Sequence, residues 1–267
     1  MSVHSTAIID DAAELADDVE VGPWVHIGPG VQLHAGVRVG SHAVVEGPTV
    51  IGPHTQIFPH AVIGGAPQDQ KFDGQTTRLQ IGEWNVFREF STINRGTTAG
   101  GGVTEIGDHN LFMAYSHVAH DCRIGNHCVL ANSVALAGHV EVHDHVVLGG
   151  LVGVHQHGRI GRCAMVGGGA MAAQDVPPFT IAQGDRARLY GLNIVGLRRN
   201  GFEPDVIQSL KRAYREVFHQ GLPLRIALEQ VRTELDGVSE VQEFVRFMET
   251  STRGVCRSAG PDTTGDS

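Results

Sequence analysis

The sequence predicts a mainly β fold, a parallel β-helix of hexapeptide repeats followed by a C-terminal α-helical domain. Three observations predict it. Aliphatic residues recur every six positions over most of the chain, glycine often follows them, and near the C-terminus this metre gives way to helical spacing. Composition agrees, because 35 glycines and 16 histidines accompany only 6% aromatic residues, poor material for a core of large rings.

The first run is Ile9, Leu15, Val21, Ile27, Leu33, Val39, Val45, Ile51, Ile57 and Ile63. A period of six fits neither the 3.6 of a helix nor the alternation of a strand. It suits a chain that turns a corner every six residues, three faces making a triangular coil of about 18 residues. Each aliphatic then points into the prism and stacks on its equivalents in neighbouring coils. Pairs such as Ile27-Gly28, Ile51-Gly52 and Ile124-Gly125 place a residue without Cβ where the chain must turn.

The metre lapses over 64–80, returns in phase at Ile81, Phe87 and Ile93, and lapses again over 94–105. It restarts one residue out of phase as Ile106, Phe112, Val118, Ile124, Leu130, Leu136, Val142, Leu148, Val154, Ile160 and Val166. Both lapses read as external loops, which commonly carry function. Gln174-Asp-Val-Pro-Pro178 ends the repeats, and apolar spacing predicts helices over 204–218, 222–235 and 238–248, with Glu203 and Pro204 as a helix start. The expected organisation is a solenoid over 1–190, a helical domain over 191–257 and a disordered tail over 258–267.

A formal net charge of −9 disfavours nucleic acid and anionic membrane as partners. Cys122, Cys128, Cys163 and Cys256 form neither a CxxC pair nor a disulfide framework, which reads as a reducing compartment without a zinc ribbon. The first 21 residues lack the apolar stretch of a signal peptide, and no run of about 18 apolar residues occurs. The expectation is a soluble, cytoplasmic protein without stable membrane insertion.

A column of aliphatics does no chemistry, so function belongs to the outside of the prism. The densest polar cluster is His117, His120, Asp121 and Cys122, followed by His139 and His155-Gln156-His157. In a coil of about 18 residues His139 stacks over Asp121 and His157 over His139, with His120 adjacent. An imidazole beside a carboxylate is equipment for general-base catalysis. Two other readings compete. External histidines can simply decorate corners, as His26, His34, His42, His54 and His60 are expected to, and His117, His120 and His139 could ligate a metal, as in gamma-class carbonic anhydrases. Spacing alone does not choose.

At these residues the sequence resembles the UDP-N-acetylglucosamine O-acyltransferase family. The blocks are Gln68-Asp-Gln-Lys71, Ile93-Asn-Arg-Gly-Thr97, His117-Val-Ala-His-Asp-Cys122, Leu136-Ala-Gly-His-Val140, Val154-His-Gln156, Ala173-Gln-Asp-Val-Pro-Pro178 and Ser251-Thr-Arg-Gly254, within a match over roughly 3–254. The resemblance implies a left-handed β-helix, a homotrimer with active sites between subunits, and no metal or other cofactor. It implies transfer of an (R)-3-hydroxyacyl group from acyl carrier protein to the 3-hydroxyl of UDP-N-acetylglucosamine. By the same resemblance His120 is the general base, Asp121 its partner, and Gly138 the backbone donor to the oxyanion. His117, His139, His155, Gln156, Gln68, Asp69 and Lys71 are implied to contact the nucleotide sugar. On the residues alone Asp69 could instead cap a turn and Lys71 be a solvated charge.

Asn193, Arg198 and Arg199 match positions for phosphates and carrier protein, but Asn200 stands where the family often has a further basic residue. Arg186, Arg188, Lys211 and Arg212 could supply basic surface for the acidic carrier protein. Gly168, with Met165 and Arg186, matches the acyl-chain ruler, and a glycine there implies room for about twelve to fourteen carbons. The sister N-acyltransferase carries an additional N-terminal domain for which a metre beginning by Ile9 leaves no room.

Overall fold

The computed structural model describes residues 2–259. Because each hexapeptide buries one aliphatic and then turns, the chain builds short strands, most of them two residues long, on three faces. All neighbours within a face are parallel apart from one terminal hairpin, and the faces hold eleven, nine and eight strands. The first face begins with Ser2–Val3, the second with Ile8–Ile9 and the third with Glu14–Leu15.

The register explains both lapses. Val39 pairs with Ile57, one coil of 18 residues on. Across the first loop Ile51 pairs with Ile81, 30 residues on, so the loop adds twelve residues, two whole hexapeptides, and the metre resumes in phase. Across the second, Ile93 pairs with Val118, 25 residues on. That addition of seven is one hexapeptide and one residue, which is the observed slip. Both loops leave the corner between the second and third faces, hereafter the second corner.

Inside, the predicted aliphatics from Val21 to Val166 are buried in columns with small residues such as Ala61 and Ala170 between them. Phe87 and Phe112 stack there at 4.7 Å. At the third corner, between the third and first faces, a buried polar ladder replaces the aliphatics. Asn110 N–H donates to Asn85 Oδ1 at 3.0 Å, Cys128 N–H donates to Asn110 Oδ1 at 2.7 Å, and Asn110 Nδ2 donates to the Gly125 carbonyl at 2.9 Å. These side chains satisfy turn groups that the strands leave unpaired.

After the first coil, most turns pass through a residue of left-handed backbone, usually not glycine: Trp24, His42, His60, Phe90 and Tyr115 at the first corner, Asp121, His139 and His157 at the second, His109, His127 and His145 at the third. Such a conformation is strained for these residues. It also points equivalent side chains of successive coils at one another, and their rings stack. His42 to His60 is 4.9 Å and His60 to Phe90 5.0 Å. His42, His54 and His60 thus occupy corners as expected, whereas His26 lies in a strand.

The solenoid ends in an antiparallel hairpin, Thr180–Gln183 with Arg188–Leu192. Four helices follow: α1 (Ile194–Arg199), α2 (Pro204–His219), α3 (Leu224–Glu234) and α4 (Ser239–Glu249). The last three match the predicted spacing, and α1 was not foreseen. Arg162 pins α4 to the prism through Glu243 at 2.6 Å, with its guanidinium over the rings of Phe179 and Phe202. Two of the sequence blocks meet as a staple. Asp175 is fully buried, accepts from Ser251 Oγ at 2.7 Å, and donates its N–H to the Gly254 carbonyl at 3.0 Å, so the segment that follows α4 caps the final coil. The predicted tail requires correction at its start. Ser258 bridges Leu189, and Ala259 N–H donates to the Leu189 carbonyl at 2.8 Å. The rest of that tail, 260–267, lies outside the described residues.

Candidate active site at the second corner

The strand His117–Val118 on the second face leads into a turn that carries Ala119, His120, Asp121 and Cys122. His120 and Asp121 are both buried, at 9% and 6% exposure. His120 Nδ1 lies 2.8 Å from Asp121 Oδ2. A carboxylate only accepts, so Nδ1 carries a proton, and in the neutral ring it is Nε2 that keeps its lone pair. Thr97, from the second loop, donates both its N–H and its hydroxyl to the same carboxylate.

One coil on, Gly138 lies directly beneath the His120 ring. A Cβ there would sit 2.5 Å from Cε1 and 2.7 Å from Nε2, so only glycine lets the imidazole occupy this place. The Gly138 N–H has no acceptor among the described residues, which leaves a donor beside the imidazole. His139 follows, its Nε2 3.7 Å from Asp121 Oδ2 and its ring edge-on to His120 at 5.1 Å. His157 stacks on His139 at 4.4 Å.

Burial, and then the nearby His120, lowers the His117 pKa, and burial likewise lowers that of His139. Both rings are therefore poised to be neutral partners rather than fixed cations. Thr92 Oγ1 at 2.7 Å from His117 Nδ1 fixes the first of these rings. The three-imidazole ligand set does not form. The compact group among the described residues is His120, Asp121 and His139, and Asp121 is already engaged by Thr97 and His120. That donor arrangement fits a clamped acid–base pair better than an open metal site.

The first loop belongs to the same corner. Asp69 lies near enough to His139 to act on its charge, and its Oδ1 accepts the Lys71 N–H at 3.0 Å, so it does cap a turn while facing the site. Gln68 and Lys71 are exposed beside it, as are His155 and Gln156 on the following coils. Arg95 and Asn94 root this loop: Arg95 Nη1 donates to the Gly47 and Gly64 carbonyls, both at 2.8 Å, and Asn94 Nδ2 to Ala66 at 3.0 Å.

On the second face, stacked positions His117, Ala135, Gly153 and Met171 make the floor of an apolar trough of about 460 Å³ that begins at the site. Met171 was not singled out from sequence. Gly168, Met165 and Arg186 do not line the trough; Met165 faces outward from the first face, Gly168 sits exposed near the first corner, and Arg186 is exposed in the hairpin turn. Asn193 is buried, its Nδ2 donating to the Cys163 carbonyl at 2.9 Å and its Oδ1 accepting the Gly196 N–H at 3.0 Å as the cap of α1. Its side chain is committed to the fold. Arg198 and Arg199 end α1, exposed, while Arg212 is held by Glu234.

A triangular coil of hexapeptides with an imidazole–carboxylate pair on an outer corner defines a hexapeptide-repeat acyltransferase. The model of bacterial transferase hexapeptide repeats matches residues 12–47 and 103–138, and that of the second domain of UDP-N-acetylglucosamine O-acyltransferase matches 175–256. An acyl-[acyl-carrier-protein]--UDP-N-acetylglucosamine O-acyltransferase of Stenotrophomonas maltophilia is 49% identical over 96% of this chain and 97% of its own. The solved UDP-N-acetylglucosamine O-acyltransferase of Moraxella catarrhalis superposes with a TM-score of 0.93 at 41% identity, covering 96% of this chain and all of that one. The UDP-N-acetylglucosamine acyltransferase of Francisella novicida gives 0.94 at 34% identity, over 97% and 95%. The chain belongs to the UDP-N-acetylglucosamine O-acyltransferase family, and its coil is the left-handed β-helix.

Proposed function

We propose that the protein transfers an (R)-3-hydroxyacyl group from acyl carrier protein to the 3-hydroxyl of UDP-N-acetylglucosamine, the opening step of lipid A synthesis, with His120 as general base. The observation that carries the reading is the His120–Asp121 pair at 2.8 Å lying over the free N–H of Gly138. His120 Nε2 takes the proton of the sugar hydroxyl while its oxygen attacks the thioester carbon. The Gly138 N–H stabilises the oxyanion, and the C–S bond then breaks as His120 returns the proton to the leaving thiolate. Asp121 stabilises the imidazolium between those steps. Gln68, Asp69, Lys71, His117, His139, His155 and Gln156 are assigned to the nucleotide sugar.

The working unit is a cytoplasmic homotrimer. An edge of exposed apolar side chains along the first corner, with Trp24 62%, Tyr115 61% and Leu151 65% exposed, supports a second copy as its cover. The acyl ruler of Gly168, Met165 and Arg186 then belongs to the surface that a neighbouring copy presents, with Arg198 and Arg199 serving phosphate or carrier protein. The test is a transfer assay with metal-stripped protein, UDP-N-acetylglucosamine and 3-hydroxyacyl carrier proteins of graded length, scored by product mass. Acylated sugar peaking near twelve to fourteen carbons is expected. No product without added zinc would overturn the reading.

A further inference from the structure

Seven residues added between Ile93 and Val118 break the metre, and the tip of the loop they form is a single 3-10 turn, Thr98–Gly100. Thr97 opens that turn and is 5% exposed. Its N–H donates to Asp121 Oδ1 at 2.8 Å and its hydroxyl to Oδ2 at 2.6 Å. The Gly100 N–H donates to Thr97 Oγ1 at 3.2 Å, which directs the hydroxyl's own proton at the carboxylate. From the far side of the loop, Thr104 Oγ1 accepts the Asp121 backbone N–H at 2.8 Å. Contact is close enough that a Cβ on Gly100 would lie 2.0 Å from Asp121 Cγ.

We infer that Thr97 is a positioning residue for acyl transfer, the loop existing in part to carry it onto Asp121. The inference rests on the reading of His120 as the base. A carboxylate held only by His120 could rotate about its bond to Cβ and take the imidazole with it. With one fixed donor on each oxygen it cannot, and the line from Thr97 through Asp121 to His120 points Nε2 at a constant place. Thr97 touches no reacting atom.

The experiment compares Thr97→Val, Thr97→Ser and Gly100→Ala with the unaltered enzyme and His120→Ala, measuring kcat, KM for both substrates and melting temperature. Thr97→Val, which keeps shape and backbone N–H but loses the hydroxyl, is expected to lower kcat about ten- to a hundredfold, as for one hydrogen bond to a charged group. Both KM values should stay within about twofold, since uniform binding is untouched. Thr97→Ser should recover most of the loss, and Gly100→Ala, pressing on the same carboxylate, should follow the valine variant. An inactive His120→Ala beside a fully active Thr97→Val overturns this inference alone. Equal losses in the valine and serine variants, tracking a lower melting temperature, also overturn it, because the threonine would then only hold the loop. A fully active His120→Ala removes the base, and this inference with it.

Discussion

At the third corner His109, His127 and His145 stack at 4.9 Å, and at the second His139 and His157 stack at 4.4 Å. Both columns occupy the same left-handed position of the repeat. The residue before that position separates them. At the third corner it is Asp108, Asn126 or Asp144, whose Oδ1 atoms accept the backbone N–H groups of Glu83, Asp108 and Asn126 at 2.8, 2.7 and 2.7 Å. At the second corner it is His120 and then Gly138, and the carboxylate has moved to the turning position as Asp121. There the ring lies over a bare backbone, and loops fold over it. Stacked histidines are thus a product of the coil, and chemistry begins where side chains stop serving the neighbouring coil.

The largest expected difference is catalytic. His120→Ala should lose at least about a hundredfold in kcat, a usual general-base contribution, with the fold kept. Circular dichroism and steady-state kinetics check both. Activity within a few-fold of the starting protein would erase the distinction between the corners.

Much of this contrast was legible in the sequence, and the part that was not has a physical reason. Counting by eighteen brings Asp121, His139 and His157 together because no insertion lies between them. The same count fails across the second loop, whose seven extra residues change both coil length and phase, so the contact of Thr97 with Asp121, 24 residues apart, has no periodic signal. The glycine-rich stretch was the available clue, since Gly100 must yield to a carboxylate. Asn193 shows the opposite limit: its position matches the family, but a sequence match does not reveal that the amide also caps α1. Asp175 and Ser251, 76 residues apart, lie in blocks that match the family, but only their hydrogen bond shows that the two blocks meet as a staple.

An intermediate effect should appear inside the third corner without touching activity. Asn110→Ala leaves the Cys128 N–H and the Gly125 carbonyl without partners in a buried turn. The expected loss is about 2 kcal/mol of stability, read from denaturant unfolding at fixed protein concentration, with kcat unchanged. A fall in kcat at unchanged stability would connect the two corners.

The smallest effect is expected on the outer ring of that corner and depends on pH. Burial, then the stacked His127, lowers the His145 pKa, with Asp144 opposing and Arg162 adding to it. The folded ring therefore stays neutral in a range below the ordinary imidazole value of about 6.5, where the unfolded chain has already taken up a proton. More protons on the unfolded state mean that stability falls as pH drops through that range. Removing the ring with His145→Gln should cost about 0.5 kcal/mol near neutrality for the lost stacking, and should make the protein less sensitive to acidification. Melting temperatures between about pH 7.5 and 5.5 test the sign: a flatter decline than the starting protein is expected, with kcat unaltered. A steeper decline would mean that the stacked ring gains rather than loses from its proton, and a lower kcat would give the third corner a part in the reaction.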